Sequence, residues 1–126
     1  AVLNAWGAWG RQAYLLSLLP DFFYPLAYAC ALAAWIALLT AIPGHAPSFW
    51  VLLLFTLPFV AAAMDYVENL LHLWMFALTD SLSPSLIFLA SLAAAIKWAL
   101  AGISLFSLPP LFLRRWMIAR TMARRR

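Results

Sequence analysis

The chain has 126 residues, of which 67% are hydrophobic and 10% are charged, and its mean hydropathy is +0.95. Soluble domains carry about 25% charged residues, so this composition excludes an ordinary soluble globular protein. The net charge of +4 is concentrated near the C-terminus, which indicates one side of a membrane and not a nucleic-acid interface. We therefore predict an integral membrane protein.

The first apolar segment predicts a spanning helix over residues 14–40. This segment is longer than the ~20 residues that cross the hydrocarbon layer of a bilayer. Pro20 and Pro25 fall inside it, and a membrane helix tolerates such prolines when neighbouring groups satisfy the carbonyl oxygens they free. Residues 1–13, with two tryptophans and one arginine, are interpreted as an interfacial lead-in to this helix.

Two further apolar segments predict two more spanning helices. Turn residues over 41–48 end the first helix, and the second is expected over residues 49–78, with a kink at Pro58. A short connection then leads to a third helix over residues 86–108. Because short loops place consecutive helices antiparallel, the sequence predicts a single all-α transmembrane domain built as an antiparallel three-helix bundle.

The chain is basic after the third helix. Pro109 and Pro110 predict the end of that helix, and residues 109–126 are expected to form a separate helix in the membrane interface. Lys and Arg gather on the cytoplasmic side of a membrane, so we predict a cytoplasmic C-terminus. The N-terminus would then lie outside, and the lack of an evident signal peptide favours a further helix upstream. Six arginines are expected to contact lipid headgroups, namely Arg114, Arg115, Arg120, Arg124, Arg125 and Arg126.

The second helix carries the most informative polar pattern. Asp65, Glu68, Asn69 and His72 are spaced so that all four lie on one face of a helix. Ionisable groups inside a membrane span are costly and normally face protein, water or a partner charge. This face is therefore expected to point at the other helices.

The first and third helices carry polar residues at a similar depth. A helical rise of ~1.5 Å per residue puts the three sets in the same half of the membrane. Lys97 lies in a stripe of small residues that lets helices approach closely. We predict that these residues form one polar cluster, made of Asp21, Tyr24, Tyr28, Asp65, Glu68, Asn69, His72 and Lys97.

Charge counting gives an expectation for this cluster. A buried Lys97 stays charged only if an opposite charge lies beside it. Asp65 or Glu68 would provide that charge. Because carboxyl groups outnumber the lysine, at least one carboxyl is expected to be protonated or His72 to be cationic. The tyrosines and Asn69 would supply the remaining hydrogen bonds.

The cluster allows a structural and a functional interpretation. Buried polar groups can hold helices in one arrangement, and intramembrane ionisable groups can also bind ligands or handle protons. His72 is a candidate axial ligand for haem or a chlorophyll-type pigment, although the other histidine, His45, falls in a loop on the opposite side. A metal site is a further hypothesis, because carboxylate and imidazole side chains ligate metals and the second helix carries Asp65, Glu68 and His72. One helix face, however, provides too few convergent ligands. No catalytic residue, metal site or nucleophile motif is predicted.

Four motifs together resemble a group of uncharacterised bacterial small multi-pass integral membrane proteins. They are GRxxYL at residues 10–15, DFxxPLxY at 21–28, DYxEN at 65–69, and the KW pair at 97–98. The resemblance implies a shared fold, a shared intramembrane polar site, one more helix upstream and a location in a bacterial inner membrane. It implies no activity, and the double proline and the basic tail are not part of the group's pattern.

The expected function is that of a non-catalytic accessory or scaffold subunit of a larger membrane complex, such as a respiratory or photosynthetic one. The alternative is a membrane-embedded binding site or enzyme for a quinone, lipid or isoprenoid that uses Asp65, Glu68 and His72. The alternative requires a cavity that opens to the membrane beside those residues. Expected partners are the bilayer, other membrane subunits and a bound lipid, quinone or pigment, but no nucleic acid. The sequence identifies no cofactor.

Overall fold

The computed structural model describes residues 7–42, 45–77 and 83–123. Within these ranges there are helices and no strands, and each helix is long and apolar enough to cross a membrane. The predicted all-α membrane class is therefore confirmed. The three helices, in chain order, are α1 (Gly7–Thr40), α2 (Phe49–Ala77) and α3 (Pro84–Ala123).

The helix α2 lies at the centre of the bundle. It packs against both α1 and α3, whereas α1 and α3 contact each other less. Small side chains fill much of the space between the helices, as expected where close backbone approach, and not the hydrophobic effect, drives association in a bilayer. The buried alanines are Ala29 and Ala33 of α1, Ala61 and Ala62 of α2, and Ala90 and Ala93 of α3.

The first helix begins earlier than predicted. The segment from Gly7 onward, which was expected to be part of an interfacial lead-in, already belongs to α1, and residues 1–6 lie outside the described part of the chain. No proline interrupts the sequence before Pro20, so nothing local prevents the extra two turns. Gly7 has a φ of 63°, a left-handed backbone conformation that glycine adopts at no steric cost at the start of the helix.

The third helix is longer than predicted. The expectation that it ends at Pro109 and Pro110 is wrong, because α3 continues through both residues to Ala123. Each proline removes only its own N–H, so the pair leaves the carbonyls four residues earlier without their usual donors and the other helical bonds intact. The basic segment is therefore an extension of the spanning helix and not a separate one.

Two side-chain contacts stabilise the extension of α3. Arg115 Nη1 donates a hydrogen bond to the carbonyl oxygen of Ala41, directly after the end of α1, with an N–O distance of 2.8 Å. The guanidinium of Arg120 lies 3.6 Å from the ring centroid of Trp116, in a cation–π contact. At ~1.5 Å per residue α3 is about 60 Å long, roughly twice the hydrocarbon thickness, so it extends beyond the bilayer core.

Candidate functional site

A buried ion-pair cluster joins α2 to α3. The Lys97 Nζ atom lies 3.2 Å from Asp65 Oδ1 and 2.5 Å from Glu68 Oε2. The exposed fractions of the lysine, aspartate and glutamate side chains are 14%, 11% and 16%, respectively. Asp65 and Glu68 are three residues apart, so consecutive turns of α2 present both carboxylates to one ammonium. The structure thus places Lys97 against both of its predicted partners.

The same aspartate links the cluster to α1. The hydroxyl of Tyr28 donates a hydrogen bond to Asp65 Oδ2, with an O–O distance of 3.3 Å. Both oxygens of Asp65 therefore have a partner, one on each neighbouring helix. Among the described residues, the buried Oε2 atom of Glu68 has Lys97 as its ion-pair partner. Tyr28, Asp65, Glu68 and Lys97 form one network that connects all three helices.

A second set of hydrogen bonds joins α2 to the backbone of α1 one turn before Pro25. Proline has no N–H, so the carbonyl of Asp21, four residues earlier, lacks its usual helical donor. Asn69 Nδ2 donates to that oxygen from α2, with an N–O distance of 3.0 Å. The hydroxyl of Tyr66 donates to the next carbonyl, that of Phe22, at 2.8 Å. The bond from Asn69 lets α1 pass through the buried Pro25 without leaving the carbonyl of Asp21 unsatisfied in the membrane, and the bond from Tyr66 adds a second contact between α2 and the backbone of α1.

The DYxEN motif thus has two structural roles. Asp65 and Glu68 bind the lysine of α3, whereas Tyr66 and Asn69 bind the backbone of α1. Tyr66 was not part of the predicted cluster. One sequence signal could have identified it: Tyr66 lies three residues before Asn69, so the two side chains are on the same side of α2.

Three predicted cluster residues lie near this network without joining it. Asp21 and Tyr24 are exposed on α1, and His72 is half-buried on α2. The ring centroid of Tyr24 is 5.5 Å from that of Tyr28. Among the described residues, the Asp21 carboxylate and the His72 imidazole have no hydrogen-bond or ion-pair partner.

The metal and haem hypotheses gain no geometric support from the part of the chain that the structure describes. No three His, Cys, Asp or Glu side chains there are grouped as metal ligands. His45 is exposed in the connection between α1 and α2, away from the face that carries His72.

A large groove runs between α1 and α3, with α2 as its floor. Its volume of about 1040 Å³ is at the upper end of the ~300–1,000 Å³ found for small-molecule sites. The light contact between α1 and α3 leaves the space between them open. The floor is the predicted polar face of α2, made of Asp65, Glu68, Asn69 and His72.

The walls of the groove change from polar to apolar along its length. On α1 the polar part is a stripe with alternating three- and four-residue steps, consisting of Tyr14, Ser17, Asp21, Tyr24 and Tyr28. Beyond Tyr28 the α1 wall continues with apolar side chains, which are Ala31, Leu32 and Trp35. The α3 wall changes in the same direction, from Lys97 to Leu105, Phe106 and Leu108.

The groove opens sideways, along the line between the two outer helices. Several of its wall residues are well exposed, including Tyr24 at 65%, Trp98 at 72% and Phe106 at 78%. The polar cluster is therefore open to the outside of the bundle along this side.

Comparisons of this chain with protein families, with curated proteins and with solved structures gave no significant match. The resemblance to bacterial small multi-pass membrane proteins therefore stays a prediction. The groove and the polar network are the features that bear on function.

Proposed function

We propose that this protein binds an amphiphilic small molecule, of the lipid, isoprenoid or quinone class, in the groove between α1 and α3. The observation that carries the proposal is the groove of about 1040 Å³ that is polar at one end and apolar at the other. An amphiphile has the same division, with a polar head and an apolar chain. Its head would lie against the cluster of Asp65, Glu68 and Lys97, and its chain between Trp35 and Phe106.

The rigidity of the polar end supports this proposal. Binding sites hold affinity and specificity when their polar groups are fixed by neighbouring contacts before the ligand arrives. Asp65 and Lys97 are held by three helices, and Asn69 is fixed on the backbone of α1. The groups that line the groove are thus positioned by bonds that do not require a ligand.

The accessory-subunit function is the second candidate. Large apolar side chains are exposed on all three helices, among them Phe23, Trp50 and Phe88, and a partner protein or lipid would cover them. A helix of a partner subunit is also a possible occupant of the open side of the groove. The amphiphile is preferred because it matches the change from polar to apolar lining, which a single uniformly apolar partner helix does not.

The proposed setting is a bacterial inner membrane with a cytoplasmic C-terminus. Arg114, Arg115 and Arg120 lie in the extension of α3 beyond the double proline, where phosphate headgroups or the cytoplasm would meet them. The contact of Arg115 with Ala41 puts the end of α1 on the same side.

A substitution that fills the groove tests the proposal. Gly102 lines the groove on α3, and an added Cβ atom there meets no other atom within 4 Å. We expect Gly102→Phe to fold normally and to lower the amount of co-purified amphiphile by about tenfold, because a loss of ~1.4 kcal/mol in binding has that effect. Native mass spectrometry of the protein from its own membrane, in mild detergent, measures the bound small molecules and any protein partner together.

Ile103→Phe is the matched control, since it adds an aromatic ring at the next residue of the same helix, on a side chain that is exposed and does not line the groove. It should leave the bound amphiphile unchanged. Equal retention by the Gly102→Phe and Ile103→Phe proteins would contradict groove binding. A stoichiometric protein partner without a bound small molecule would favour the accessory-subunit function instead.

A further inference from the structure

We infer that the amphiphile carries a cationic head, such as an ammonium group, and that Asp21 is its counter-charge. The inference rests on the proposed function and concerns the chemistry of the head alone. Its basis is the charge and the hydrogen-bonding state of the groups that line the polar end of the groove.

The polar end of the groove is acceptor-rich. Three carboxyl groups line it, those of Asp21, Asp65 and Glu68, against the single ammonium of Lys97. That ammonium already lies between Asp65 and Glu68. The histidine in the lining, His72, has no ion-pair partner among the described residues. With one carboxyl protonated or His72 cationic, as the charge count predicts, one negative charge remains in excess, so a negative ligand head would meet like charge and a positive head would neutralise it.

Asp21 differs from the other two acids in its contacts. Asp65 uses both oxygens and Glu68 is paired with Lys97, but the carboxylate of Asp21 has no partner among the described residues. It is nevertheless exposed to the groove from the middle of a spanning helix. An unpaired carboxylate in that position is costly, and a bound cation would satisfy it.

The aromatic lining favours the same kind of head. The rings of Tyr14, Tyr24 and Tyr28 flank Asp21 along the α1 wall, and Trp98 lies on the α3 wall. Aromatic faces attract ammonium groups within ~6 Å of the ring centroid. Trp98 already makes such a contact with the lysine, whose Nζ atom is 5.5 Å from the ring centroid. Tyr24, which follows Asp21 in the stripe and is 65% exposed, offers a ligand the same contact.

The position of Asp21 is fixed independently of its carboxylate. Its carbonyl oxygen accepts the hydrogen bond from Asn69, so the backbone at this point is held against α2. Replacing the side chain alone therefore removes the charge and leaves the bond that repairs the proline break. Asp21→Asn preserves the shape of the side chain, and Asp21→Glu preserves its charge.

The test compares three single-chain amphiphiles that share one apolar chain and carry an ammonium, a hydroxyl or a carboxylate head. The full-length protein, stripped of bound lipid and in detergent micelles, is mixed with each probe at equal concentration, and native mass spectrometry gives the bound fraction. We expect the ammonium probe to bind about tenfold or more tightly than the hydroxyl probe. Asp21→Asn should reduce that preference to less than about twofold, and Asp21→Glu should retain most of it.

The outcomes separate the inference from the proposed function. If the probes bind in a manner that Gly102→Phe abolishes, but without preference for the ammonium head or with equal preference in the Asp21→Asn protein, the cationic head is refuted and groove binding stands. If Gly102→Phe changes the binding of no probe, groove binding itself fails. Thermal unfolding of each variant in the same detergent shows that a lost preference does not come from a lost fold.

Discussion

Replacing Lys97 with methionine is expected to lower the free energy of unfolding by about 3–5 kcal/mol, the usual cost of removing one partner from a buried ion pair. Methionine fills a similar volume but leaves the carboxylates of Asp65 and Glu68 buried without their counter-charge. The loss should appear in equilibrium unfolding by SDS in mixed micelles, followed by tryptophan fluorescence.

Neutralising the acids should rescue this variant. In the Lys97→Met background, Asp65→Asn and Glu68→Gln remove the charges that the substitution leaves unpaired, so most of the lost stability is expected to return. Ile96→Met is the matched control, because it places methionine at the neighbouring, lipid-exposed residue of α3. If Lys97→Met were as stable as Ile96→Met, the ion pairs would not hold the bundle together.

The structural and functional interpretations of the polar cluster apply to different residues. Lys97 and the two acids of α2 bind one another, and Tyr66 and Asn69 bind the backbone of α1. Asp21 and His72 make no such bonds among the described residues, yet both line the groove. The first set holds the helices in position, and the proposed ligand site rests on the second set.

Much of this arrangement could be predicted from periodicity and length. The three apolar segments predict three helices, because a segment that crosses a bilayer as a helix satisfies all its polar backbone groups within itself. Asp65 and Glu68 had to share a helix face, and the similar depth of Lys97 made it their expected partner. The structure shows the three side chains in contact.

The parts that could not be predicted depend on how the helices pack. The tandem proline at Pro109 is a strong local signal for a helix end, but the loss of two hydrogen bonds did not outweigh the contacts that continue α3, including that of Arg115 with Ala41. The groove is a space between α1 and α3, so its existence depends on the positions of whole helices. The amino-acid sequence shows which residues can line the groove, but it does not show how far apart the walls of the groove lie.

Asn69→Leu is expected to lower the free energy of unfolding by about 1–2 kcal/mol, at the upper end of the range for hydrogen bonds between membrane helices. Leucine has nearly the shape of asparagine but no donor, so the carbonyl of Asp21 would lose the bond that replaces its missing helical one. In hydrocarbon no water is present to take that place, which is why this bond should exceed the average. SDS unfolding in mixed micelles measures the change.

The proline explains this effect, and a second substitution tests the explanation. Pro25→Ala restores an N–H group that can donate to the Asp21 carbonyl within α1, so Asn69→Leu should cost much less in that background. The coupling free energy from the double-mutant cycle should therefore account for most of the 1–2 kcal/mol. Additive effects of Pro25→Ala and Asn69→Leu would mean that Asn69 stabilises the bundle through some contact other than the one at the proline break. Non-additivity would show that α2 supplies the donor that the proline removes from α1.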